Sequence, residues 1–91
     1  MLSDIPKKFC GKKEEIDAEI ARAGMIAELD AISLYEQMAA TASDKILKAT
    51  LLDIAKEEKT HMAEFQALLL KFDKEQVKEL EEGKKEVEEK G

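Results

Sequence analysis

The sequence predicts an all-α protein built on a helical hairpin, and three observations carry that prediction. Ala, Glu, Leu, Ile and Lys dominate a chain that has only 4 Gly and 1 Pro in 91 residues, which is the composition of long helices. Two long stretches, 13–41 and 44–72, contain no proline and repeat apolar residues at helical spacing. The connection between them is so short that the two helices must pack antiparallel. With 4% aromatic residues, the chain lacks the material of an all-β domain. Its length allows one domain. Fifteen Lys and Arg against 21 Asp and Glu give a net charge of −6, which excludes nucleic acid as the expected partner. No apolar run approaches the roughly 18–20 residues of a membrane span, and no signal peptide is present, so a cytoplasmic protein is expected.

Taken in order, residues 1–12 hold the only Pro and read as an irregular N-terminal segment. Cys10 lies in it without a CxxC or histidine neighbour and is assigned no role. Helix 1 is expected from Lys13 to Thr41, with Glu14, Glu15 and Asp17 in the first turns, where the helix dipole favours negative charge. Thr41-Ala42-Ser43-Asp44 breaks the pattern, with Ser43 as the expected acceptor for the first free N–H groups of helix 2, which runs from Asp44 to Phe72. Residues 13–73 thus form a hairpin unit. Beyond it, Asp73 and Gln76 have capping-box spacing. Val77, Leu80 and Val87 predict a short third helix within 74–91, interrupted at Gly83 and ending in solvated charge.

Stepping alternately three and four residues along helix 2 gives Leu51, Ile54, Glu58, His61, Phe65, Leu68 and Phe72, an apolar seam with a carboxylate and an imidazole at its centre. A buried Glu needs a positive or proton-donating partner, because desolvating its charge costs several kcal/mol. Glu58 and His61 form Glu-x-x-His, the i, i+3 spacing that aims both side chains at one point, although Glu-rich helices often produce it by chance. Helix 1 supplies the third group. Its stripe, Ala21, Gly24, Glu28, Ala31, Tyr35 and Met38, again places one Glu among mostly small or apolar residues. Measured from the turn near Ala42, Glu28 lies 14 positions back and Glu58 16 positions on, about 21 and 24 Å along the axes. Glu28, Glu58 and His61 are therefore expected to converge at one level.

A di-iron carboxylate site in a four-helix bundle takes one Glu from each of two helices and Glu-x-x-His from each of the other two. This chain carries half that set. Since it has one histidine, a complete site requires two hairpins related by a two-fold axis, and hence a homodimer. Ile20, Ala23, Met25, Ile26, Leu29, Ile32 and Leu34 spread apolar surface around helix 1, more than one neighbouring helix can cover.

IAELDAISLYEQ around Glu28 and AKEEKTHMAEF around Glu58 and His61 resemble the encapsulated ferritins, half-length ferritin-like proteins held inside encapsulin shells. The resemblance covers residues 20–80. It implies a ferritin-like four-helix bundle formed by dimerisation, a ferroxidase centre that oxidises Fe²⁺ with O₂, and Glu28, Glu58 and His61 as iron ligands, one iron per chain. It further implies that Tyr35 lies near that centre, that dimers assemble into larger rings, and that the protein sits inside an encapsulin compartment. Asp30 matches an acidic metal-uptake position of the family, whereas the neighbouring Ala27 is not acidic. Encapsulin cargo often ends in a short apolar targeting tail, and this sequence ends in EEKG. The resemblance then implies a shell fused downstream or a tail removed.

Other readings stand beside these. The three polar groups would also suit a metal-free hydrogen-bonded triad, and the ligand set accepts manganese or zinc. The helices alone would serve a non-enzymatic oligomerising cargo module. Tyr35 doubles as a core aromatic. Met25, Met38 and Met62 are expected to pack, and Glu57 and Glu64, one position off the seam, to face solvent.

Overall fold

The computed structural model describes residues 13–91 and consists of α1 (Lys13–Thr41), α2 (Lys45–Phe72) and α3 (Lys74–Lys90). The described residues include no strand, so the chain is all-α as expected. Residues 1–12, expected from the sequence to be irregular, lie with Cys10 outside the described residues. No helix among those described is long and apolar enough to cross a membrane.

The turn between α1 and α2 is closed by local hydrogen bonds. The Ala42 N–H donates to the Met38 carbonyl at 2.9 Å, which satisfies one of the carbonyls that a helix end leaves free, and the Thr41 hydroxyl donates to the Gln37 carbonyl at 3.0 Å. Asp44, rather than the expected Ser43, caps α2: its backbone is extended and its carboxylate accepts from the Leu47 N–H at 2.8 Å. The cap must sit three residues before the N–H it serves, and with α2 starting at Lys45 only Asp44 does. Ser43 falls one residue outside.

α1 and α2 pack along their length. Buried residues are Ala18, Ala21, Ile32 and Ala39 on α1 and Leu51, Ala55 and Leu69 on α2, and alanine at four of these seven positions lets the helices approach closely. With half-buried neighbours they form two heptad rows, 18, 21, 25, 28, 32, 35, 39 and 51, 55, 58, 62, 65, 69, 72. The seam is thus rotated by one position from the expected one. Ala55, Met62 and Leu69 replace Ile54, His61 and Leu68 in it, as Ile32 and Ala39 replace Ala31 and Met38, while Gly24 stays at the contact, against Phe65, beside Met25. Glu28 and Glu58 stay in the seam. His61 and Leu68 move to an exposed flank.

Asp73 ends α2 and starts α3 in an extended conformation, φ −125° and ψ 95°. Its N–H donates to the Leu69 carbonyl at 2.8 Å and its carboxylate accepts from the Gln76 N–H at 3.0 Å. The N–H that a full capping box would offer to Gln76 is therefore already committed to α2. Arg22 of α1 clasps the same carboxylate at 2.5 Å and also pairs with Glu19 at 3.0 Å. α3 runs unbroken through Gly83, contrary to the expected interruption. One helical glycine costs only about 1 kcal/mol, and the flanking Lys and Glu residues are good helix formers. No residue of α3 is buried, and Val87 is 71% exposed. The helix stands off the hairpin as an arm.

Candidate metal centre

Halfway along the seam two carboxylates and one imidazole meet. Glu28 arrives from α1, Glu58 and His61 from successive turns of α2. His61 Nδ1 lies 3.7 Å from Glu28 Oε2 and 3.6 Å from Glu58 Oε2. One donor atom from each of the three falls within 4.8 Å of the others. The expected convergence is present. These separations exceed hydrogen-bond length, and metal bonds of about 2.0–2.2 Å would hold neighbouring donors about 3.0–3.4 Å apart. A small inward movement of the side chains would enclose an ion.

Burial sharpens the chemistry. The Glu28 and Glu58 side chains are 19% and 21% exposed, while His61 is 48% exposed. Glu28 Oε2 itself is out of contact with solvent and has no hydrogen-bond partner, a state that costs about 1–3 kcal/mol or more for a charged group. Among the described residues the ion-pair contacts of Glu28 and Glu58 are with His61 alone. Lys59, next to Glu58 in sequence, turns to the opposite face and pairs with Glu36 at 2.9 Å. A metal-free triad would leave Glu28 Oε2 unsatisfied, whereas a cation satisfies it. Hard oxygen donors with one imidazole suit Fe²⁺, Mn²⁺ or Zn²⁺.

Tyr35 is half-buried in the seam, and no hydrogen bond joins it to the three residues among those described. Asp30, Glu57 and Glu64 are exposed and lie outside the cluster, as does Met38, which packing arguments had placed in the core; Met25 and Met62 are half-buried in the seam. The flank carrying His61 is apolar at both ends. One groove beside it is lined by Ile20, Phe65, Leu68 and Phe72, another by Leu34, Met38, Leu47 and Leu51. Periodicity alone missed this flank, because it merged the seam and its edge into one stripe. Exposure of Ile20, Leu34 and Leu68 at 48%, 52% and 44% is the signal that separates them.

The fold and this geometry can be set against known proteins. The chain superposes on the crystal structure of the encapsulated ferritin domain from Pyrococcus furiosus with a TM-score of 0.84 and 49% identity, covering 93% of this chain and 87% of that one. The chain belongs to the encapsulated-ferritin family. A ferritin-like–encapsulin shell fusion protein of the same organism is 57% identical over 77 residues, 85% of this chain. The chain spans 22% of the length of that relative. No protein-family model matches.

Proposed function

We propose that this encapsulated ferritin is a ferroxidase, oxidising Fe²⁺ with O₂ at a di-iron site that two subunits share. The observation that carries the reading is the meeting of Glu28, Glu58 and His61 with an unsatisfied Glu28 oxygen at the edge of the seam. A two-fold axis beside His61 would bring a second copy of the three residues opposite the first and cover both apolar grooves. Two irons, one per chain, would then have six protein ligands between them. Iron here is substrate. Two ferrous ions release two electrons, enough with two protons to take one O₂ to hydrogen peroxide. Carboxylates favour the ferric product, imidazole also suits the ferrous ion, and the desolvated pocket lowers the dielectric around both.

Tyr35 lies two turns beyond Glu28, and helical side chains lean toward the N-terminus, which turns its ring toward the centre. We assign it a redox or orienting role there. The name of the fusion relative supports an encapsulin shell as the partner that would hold the oxidised iron, with this protein inside it and dimers gathered in rings. The reading is tested by aerobic Fe²⁺ oxidation followed by ferric absorbance. Glu28→Ala, Glu58→Ala and His61→Ala should each lose most of the rate, since symmetry strips two ligands per substitution. An undiminished rate in His61→Ala would contradict the site assignment. Wild-type protein that holds Mn²⁺ or Zn²⁺ but does not oxidise Fe²⁺ would replace iron in it, and protein that binds no metal would leave the oligomerising cargo module.

A further inference from the structure

Gly24 stands four residues before Glu28 on α1, and Phe65 four residues after His61 on α2. A Cβ placed on Gly24 would meet three atoms of the Phe65 ring, Cδ1 at 2.5 Å, Cε1 at 2.6 Å and Cγ at 2.7 Å. The ring therefore lies directly on the α1 backbone, one turn from the candidate metal ligands on both helices. Gly24 does not have a positive φ, so the backbone would accept alanine, which is favoured in a helix by about 1 kcal/mol. What the site uses is the missing side chain. At Gly83, by contrast, an added Cβ would meet nothing within 4 Å.

We infer that Phe65, seated on Gly24, is the positioning residue that sets the helix separation at which Glu28, Glu58 and His61 share an ion; this rests on the metal-site reading above. Phe65 is rooted on the helix that carries Glu58 and His61, and its ring bears on the helix that carries Glu28. Cγ is the ring atom nearest the α2 backbone, so rotating the ring about its own axis cannot relieve a clash there. A methyl on residue 24 must either expel the ring from its place or push α2 outward. Both movements shift the Glu58 and His61 donors relative to Glu28 Oε2, and coordination tolerates errors of only about 0.5 Å. Phe65 also lines the apolar groove with Ile20, Leu68 and Phe72.

The test uses the full chain and Co²⁺ as a redox-inert probe, read from its d–d absorption, with helix content and sedimentation followed in parallel. Gly24→Ala should retain its helices and weaken Co²⁺ binding about tenfold or more, the usual effect of displacing groups that orient metal ligands, with an altered d–d spectrum. Gly24→Ala combined with Phe65→Ala should recover most of the affinity and the spectrum, because alanine lacks the Cγ, Cδ1 and Cε1 atoms that a methyl on residue 24 would meet. Unchanged affinity and spectrum in Gly24→Ala would overturn the inference, as would a folded double variant that binds no better than Gly24→Ala. If Gly24→Ala alone does not fold, Phe65→Ala is compared with the double variant: the inference requires the double, whose added methyl refills part of the vacated space, to bind at least as tightly, and weaker binding overturns it. Wild-type protein that takes up neither Co²⁺ nor Fe²⁺ would contradict the metal site itself, which is a separate failure.

Discussion

Single residues divide into those that make the site and those that hold its frame. Asp44 belongs to the frame, and Asp44→Ala should destabilise the protein by about 1 kcal/mol, within the 0.5–2 kcal/mol of lost N-caps, measurable as a fall in the urea midpoint at constant m. Ser43→Ala should leave the midpoint in place. Asp73 titrates below the ordinary carboxylate range, chiefly because the Gln76 N–H donates to its charged form and also because Arg22 pairs with it, against some desolvation. Its native pKa being lowered, Asp73 stabilises the α2–α3 junction above the normal carboxylate pKa, and that contribution is lost as pH falls through the native value. The protection factor of the Gln76 amide, its exchange rate corrected for the intrinsic pH dependence, should fall in that acid window and be constant from there to neutrality; a protection factor that does not fall would contradict the cap. Glu28, Glu58 and His61 were readable in the sequence because polar residues in apolar stripes demand a partner. Ser43 against Asp44 was not, since adjacent residues with equal capping chemistry are separated only by where the first helical turn closes.

Among the elements, the hairpin and the arm obey different rules. α1 and α2 gain from each other through a narrow, alanine-rich seam, whereas α3 stands on its own propensity and its junction. Gly83→Ala should accordingly raise helix content and stabilise α3 by up to about 1 kcal/mol, with no steric cost because the space around it is open; a destabilised α3 would show that something covers that face. Helix existence and order were fully readable from composition and turn residues. The rotation of the seam was not. Ile54 and Leu68 are as apolar as Ala55 and Leu69, and strict heptad and 3.6-residue periods drift apart by only about 20° per heptad. Only packing chooses between the stripes.

At the scale of the whole molecule, the proposed site takes half of its ligands from a second copy of the chain. The described residues contain seven buried apolar residues and eleven large ones that remain exposed, a balance that favours association. Leu34 and Leu68 lie on either side of His61 on the same flank, so Leu34→Glu with Leu68→Glu should convert the assembly to smaller species in sedimentation and abolish iron oxidation with the ligands untouched. Charge placed on the far side, as in Leu52→Glu, should spare the shared site. The expectation of a second copy rests on the single histidine; the surface it would use was not readable in the sequence, because large exposed apolar residues lie on both faces of the hairpin. Iron stoichiometry joins the ligands to the assembly. In an anaerobic Fe²⁺ titration with sedimentation, wild-type protein should saturate at about one iron per chain, two per dimer site, with iron favouring the dimer or larger species. Iron bound by monomers, or no saturable iron with Glu28, Glu58 and His61 intact, would contradict a site shared between two chains.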